Sequence, residues 1–193
     1  MAMWLNERAE FPGWPPGQCE AGLMLIVMAG LPGAGKSSLA EGLGRKLAAP
    51  VVSVHPIEAA MSRAGVARSQ PTGLAAYVVA EAVADGVLAL GQTVIVDAVN
   101  AVAEARAQWR SLASRRGMPV VFIEVVCSDP AVHRQRLEGR SREIEGFYEP
   151  TWETVERRRE EFVPWADDRL VLDSVIDLSQ NISTALGFLG AAS

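Results

Sequence analysis

Eight consecutive residues, Gly30-Leu31-Pro32-Gly33-Ala34-Gly35-Lys36-Ser37, constrain the fold of this chain more than any other feature. They satisfy the pattern G-x-x-x-x-G-K-[ST] without substitution, immediately after the apolar run Leu23–Ala29 and ahead of a helical pattern from Lys36 to Ala48. A strand that feeds a glycine loop and then a helix is the context in which backbone amides wrap an anion. Glycines permit the tight winding and the close approach, and the helix start adds a positive dipole end. In such a loop the lysine reaches the β- and γ-phosphates of a nucleotide, and the hydroxyl after it serves Mg²⁺. The expected ATP-binding set is Gly30, Pro32, Gly33, Ala34, Gly35, Lys36, Ser37 and Ser38.

The rest of the chain alternates strand and helix patterns. Apolar strands are expected at Leu23–Ala29, Val51–Val54, Thr93–Asp97, Val120–Val126 and Arg169–Leu172. Helices are expected at Ile57–Arg63, Thr72–Leu90 with Thr72 as N-cap, Val102–Arg116, after Ser128-Asp129-Pro130, Thr151–Phe162 and Ile182–Leu189. Five strands separated by helices imply a three-layer α/β domain, a parallel sheet covered on both faces. Residues 1–22, with Phe11-Pro12-Gly13-Trp14-Pro15-Pro16-Gly17, read as an extension before a domain at 23–193.

Composition narrows the function classes. A chain of 193 residues, 49% hydrophobic and 21% charged, can bury a core. A formal net charge of −5 counts against a nucleic-acid backbone as partner. Cys19 and Cys127 are too few for a disulfide framework, no secretory leader is evident, and the run Leu23–Ala29 falls short of a membrane span. A cytoplasmic protein without a membrane partner is expected. No N-K-x-D element for guanine occurs, so ATP is favoured over GTP.

The loop needs a carboxylate near the metal, at the C-terminal end of a neighbouring strand. Asp97 ends the third strand and is assigned to Mg²⁺ together with Ser37, or to orienting the acceptor; a turn cap is the alternative reading. Asn100 is a further acceptor-contact candidate. Arg136 and Arg140, four apart on one helix face, are candidates to stabilise the charge developed in phosphoryl transfer. The irregular stretch after them, about 137–152, reads as a lid, or as a solvated basic face paired with Glu138 and Glu143. Arg157-Arg158-Arg159, flanked by glutamates, reads as a solvated helix face.

The run Val27–Ser37, with Val51–Ile57, Val94–Asp97 and the arginine-rich segment, resembles the small P-loop kinases. These include the zeta-toxin, chloramphenicol phosphotransferase and polynucleotide kinase relatives, often labelled AAA-family ATP-binding proteins. The resemblance covers roughly Leu23–Asp173 and implies a nucleoside-monophosphate-kinase-like sheet of order 2-3-1-4-5 with an arginine-bearing lid. It also implies a kinase that moves the γ-phosphoryl group of ATP to the hydroxyl of a small molecule. The relatives usually place an aspartate, as general base, just after the second strand, where this chain has His55. A histidine with an ordinary pKa near 6.5 suits a base; an altered acceptor or a plain strand-end residue are the alternatives, with Glu58 and Asp97 as fallback bases. Met61, Tyr77, Arg106, Trp109, Phe147, Tyr148 and Trp152 are candidates to line the acceptor pocket, and Arg63, Arg68 and Arg106 to hold an acceptor phosphate. A polynucleotide 5′-hydroxyl kinase and a non-catalytic ATP-binding switch or scaffold are the competing functions.

Overall fold

The computed structural model describes residues 22–67, 70–139, 150–160, 162, 165 and 168–191. In chain order the elements are β1 (Leu25–Ala29), α1 (Lys36–Leu47), β2 (Val51–Ser53), α2 (Val54–Arg63), α3 (Thr72–Ala89) and β3 (Val94–Asp97). Then follow α4 (Ala103–Arg116), β4 (Val120–Val126), α5 (Pro130–Glu138), α6 (Trp152–Glu160), β5 (Arg169–Asp173) and α7 (Leu178–Ala191). The extension, Arg140 and most of the expected lid lie outside the described residues.

All five strands are parallel, in the order β2-β3-β1-β4-β5, as the resemblance implies. Every residue of β1 and β3 is buried, because a central parallel strand must bury both of its faces. Alternate residues supply two cores. Leu25, Val27, Val94 and Val96 pack against Ala76, Ala80 and Ala84 of α3 and Trp109 and Leu112 of α4. Met24, Ile26, Met28 and Ile95 pack against Leu39 and Leu43 of α1 and Ala185 and Leu189 of α7. The small alanines of α3 let that helix lie close on the sheet, which makes three layers. β1 and β3 are in register with Met28 beside Asp97, so the loop after β1 and the carboxylate ending β3 emerge at one edge.

Boundaries around α2 and α3 differ from expectation. β2 stops at Ser53 and α2 starts at once with Val54, so His55 lies in the first helical turn and not on a strand end. Pro56 is tolerated there because a first-turn N–H has no helical partner to lose. Thr72 is the first residue of α3, not its N-cap; Pro71 occupies that position, and the Thr72 hydroxyl donates to Glu58 Oε1 at 3.1 Å. At α5 the expectation holds, with Asp129 Oδ1 accepting from the amides of Ala131 and Val132 ahead of Pro130 in the first turn.

Candidate active site

The glycine loop is shaped by what surrounds it. Gly30 has φ +133°, and a Cβ there would lie 2.2 Å from the Val125 carbonyl oxygen of β4, so only glycine fits where the loop leaves the sheet. Its amide donates to the Val99 carbonyl at 3.1 Å, tying the loop to the turn after β3. Gly33 and Gly35 also have left-handed φ, +84° and +97°, which winds the intervening amides around a concave path. Gly35 leads directly into α1, whose N-terminus adds its dipole.

Lys36 is 5% exposed, and its ammonium donates to the Leu31 carbonyl across the loop at 2.9 Å. Ser37 donates its hydroxyl to Asp97 Oδ2 at 2.7 Å, and Ser53 from β2 donates to the same oxygen at 3.3 Å. Asp97 is 3% exposed, and its other oxygen, Oδ1, is buried without a hydrogen-bond partner. A desolvated carboxylate oxygen with no donor needs a cation or a donor to offset its burial. With the Ser37 hydroxyl beside it, the pair fits Mg²⁺, which takes one or two protein oxygens and completes its shell with phosphates and waters. Among the described residues no group of three or more His, Cys, Asp or Glu could hold a metal by itself, so protein atoms alone form no cage.

Two cavities are lined by loop residues, and a third lies beside the β3–α4 turn to which Gly30 is bonded. On the β2 side, a cavity of about 410 Å³ lies among α2, α3, α4 and α6; its lining includes His55, Glu58, Tyr77, Val99, Glu104 and Arg158. On the β5 side, a cavity of about 580 Å³ runs from Gly35, Ser37 and Ser38 to Arg136, Ser174 and Asp177. A smaller one, about 220 Å³, sits over Gly30, Leu31 and Ala34 against Arg159 and Phe162.

The structure separates the candidate residues. Lys36, Ser37 and Asp97 come together. His55 lines the β2-side cavity, two residues beyond the Ser53 that touches Asp97. Arg136 turns to the β5 side, where its guanidinium donates to the Ser174 hydroxyl at 2.8 Å and the Ser174 carbonyl at 3.0 Å. Arg140, Phe147, Tyr148 and Arg68 lie outside the described residues. Of the expected pocket aromatics, Tyr77 does line the β2-side cavity; burial pushes its phenol pKa up, and its oxygen accepts from the Asn100 amide at 3.1 Å. Trp109 and Arg106 do not: they are 0% and 2% exposed. The Trp109 indole donates to Asn100 Oδ1, and Arg106 donates to the carbonyls of Asn100 and Ala101 while lying over the Trp165 ring. Met61 packs beside the core. Asn100 lines none of these three cavities either; it is fully buried at φ +52°, and its Nδ2 donates to the Met28 carbonyl at 2.7 Å. Its combination of hydrogen bonds and left-handed backbone makes it the knot of the β3–α4 turn.

Three residues were missed by the sequence reading. Arg159 is exposed and pairs with Glu156 at 3.9 Å, as a solvated face requires, yet Arg158 and Arg159 also line two different cavities. His133 of α5 is 1% exposed, and its Nε2 is 2.8 Å from the Pro32 carbonyl, where it donates in the tautomer protonated at Nε2. Its ring abuts Gly33 and meets Trp152 of α6 edge-on, with centroids 5.3 Å apart. Burial, assisted by the charges of Arg159, Lys36 and Arg136, holds its pKa below the ordinary value, while the Pro32 carbonyl opposes that. A histidine four residues past a helix cap carries no local signal that it props a loop a hundred residues away.

The family model of the AAA domain matches residues 25–164. No curated protein matches the chain. Among solved structures, a protein from Chloroflexus aurantiacus provisionally described as a kinase has TM-score 0.70 and 19% identity, over 91% of this chain and 100% of its own. The APS kinase CysC of Mycobacterium tuberculosis, in complex with AMPPNP and APS, has TM-score 0.63 and 19% identity, over 88% and 98%. A gluconokinase from Sinorhizobium meliloti has TM-score 0.63 and 18% identity, over 89% and 93%. At these identities the likeness is one of fold.

Proposed function

The chain belongs to the AAA domain family, and we propose that it is an ATP-dependent kinase that transfers the γ-phosphoryl group to the hydroxyl of a small molecule. One observation carries the reading: Lys36, Ser37 and the half-satisfied Asp97 converge at the open end of a glycine loop wound for an anion. The comparisons support it, since similar folds include enzymes described as kinases of APS and gluconate.

The two larger cavities divide the labour. The β5-side cavity continues from Ser37 and Ser38 and suits the nucleoside, with Arg136 and Ser174 as its wall. The β2-side cavity, whose lining includes the Val99 that accepts the Gly30 amide, takes the acceptor. Loop amides and the Lys36 ammonium hold the β- and γ-phosphates and stabilise the charge that grows as the Pγ–Oβγ bond breaks. Mg²⁺ held by Ser37 and Asp97 would supply further neutralisation of that charge. The acceptor oxygen forms the new bond to Pγ and surrenders its proton to His55, with Glu58 of the same lining, or Asp97 beside Ser53, as alternatives. ADP is the leaving group. Closing water out keeps the phosphoryl group from hydrolysis.

Lys36→Ala is the direct test. Transfer of labelled γ-phosphate to a hydroxyl acceptor should fall at least about a hundredfold, with circular dichroism unchanged; transfer at the parental rate would refute the mechanism. A second reading, a nucleotide-dependent switch, is favoured by one observation, His55 in place of a carboxylate at the start of α2. ATP binding with no phosphate gain on any hydroxyl acceptor, and indifference to His55→Ala, would establish it instead.

A further inference from the structure

The acceptor cavity carries a charge pattern that phosphoryl transfer itself does not require, and resting on the kinase reading above it points to a substrate class. Its only cation among the described lining residues is Arg158. That charge acts on the Tyr77 phenol, whose oxygen is bonded to the Asn100 amide three residues beyond Asp97. Arg158 reaches the cavity from α6 and shares its lining with Tyr77. The remaining charged residues of the lining are two carboxylates. Glu58 is half-buried on α2 and accepts the Thr72 hydroxyl with one oxygen; Glu104 stands exposed in the first turn of α4. Between the ends the wall is apolar, with Val54, Leu74, Val99 and Val102.

Among the described residues, Arg106 and Arg63, candidates to hold an anionic acceptor, are not in this cavity. Arg106 is committed to the carbonyls of Asn100 and Ala101 and to the Trp165 ring, and Arg63 is absent from the lining. A phosphate, sulfate or carboxylate on the acceptor would meet Glu58 and Glu104 with like charge, and like charges brought together without a counterion suppress binding. An ammonium at that position meets opposite charge instead.

We propose that the acceptor is an amphipathic alcohol bearing a protonated amine: its hydroxyl points to the loop, its apolar body lies on the Val99–Val102 wall, and its ammonium sits between Glu58 and Glu104. The cavity, at about 410 Å³, suits a molecule of small-drug size.

The test uses the full chain loaded with AMPPNP and a matched pair of phenyl-substituted diols, one with a primary amine and one with a carboxylate on the same carbon. Calorimetry should show the amine diol binding at least about tenfold tighter than the acid, the product of two favourable charge contacts of up to about fivefold each. Glu104→Gln should shrink that ratio by about two- to fivefold, and Glu104→Lys should shrink it further by raising the affinity of the acid. Equal or tighter binding of the acid, no binding of either diol, or a ratio that ignores both Glu104 variants would overturn the inference while leaving the kinase reading intact. AMPPNP titrated alone in the same samples separates the two: its failure to bind would overturn both.

Discussion

Replacing Asn100 with alanine should cost far more than the loss of one polar surface side chain, because this residue holds three elements together. Its Nδ2 satisfies the Met28 carbonyl at the end of β1, and its Oδ1 satisfies the indole N–H of the fully buried Trp109 on α4. The substitution strands the indole donor, at about 1–3 kcal/mol, and one lone pair of the Met28 carbonyl, at about 1 kcal/mol. Alanine at φ +52° adds roughly 1 kcal/mol of left-handed backbone strain that asparagine tolerates. The total, about 3–5 kcal/mol, is a large part of the 5–15 kcal/mol that about holds for a domain. Urea denaturation followed by tryptophan fluorescence measures it. Asn100→Gly should recover about 1 kcal/mol of the loss, because glycine accepts the left-handed φ. In the Asn100→Ala background, Trp109→Phe removes the stranded donor, so the double variant should be at least about 1 kcal/mol less destabilised than the sum of the singles. Asn100→Ala costing under about 1 kcal/mol, or strictly additive singles, would refute the assignment of Asn100 as a structural tie.

Three further outcomes follow from the site. Gly30→Ala drives a methyl to within 2.2 Å of the Val125 carbonyl oxygen, backbone against backbone, and should destabilise the fold by about 2–5 kcal/mol and abolish nucleotide binding, read by thermal unfolding and titration with a fluorescent ATP analogue. Asp97→Asn preserves acceptors for Ser37 and Ser53 but removes the charge, so the Mg²⁺ concentration for half-maximal activity should rise about tenfold or more with little change in the melting temperature. His133 has a depressed pKa in the fold, so below about pH 6.5 the unfolded chain binds a proton that the folded chain refuses. Stability should therefore fall as pH drops from about 6.5 toward the folded value and be flat above about 6.5; denaturant titrations at about pH 7.5 and 5 should show that acid slope reduced in His133→Asn, and an unchanged slope would exclude this residue as its source.

What the sequence disclosed and what it hid differ by the reach of the interactions. The loop was legible because its requirements are contiguous: Gly30, Gly33 and Gly35 must all reach left-handed φ, and Lys36 and Ser37 follow directly. The strands were legible because burial on both faces writes an unbroken apolar run such as Leu25–Ala29. Asp97 could be found because strand ends carry the site in open α/β sheets. The start of α2 was not, since Val54 and Pro56 look like strand and breaker, and only the sheet edge decides that the chain coils immediately after Ser53. Burial of Arg106 was equally hidden, because the carbonyls of Asn100 and Ala101 that satisfy it belong to a turn whose shape depends on Trp109. That Arg158 and Arg159 also line cavities was hidden, because charge spacing along α6 gives the solvated face and not what lies beside it.

The position of β1 between β3 and β4 has a consequence for biosynthesis. Leu25 pairs with Val94 on one side and Val120 on the other, so β1 has neither sheet partner until β3 and then β4 have left the ribosome. The Gly30 amide must wait for Val99, and the snug backbone crossing at Gly30 for Val125. Such distant pairings close late and slowly, since chain ordering precedes its reward. A nascent chain halted before β4 therefore carries its nucleotide loop as unformed sequence, beside an apolar strand open to aggregation; ligand binding reports completed synthesis as much as correct folding.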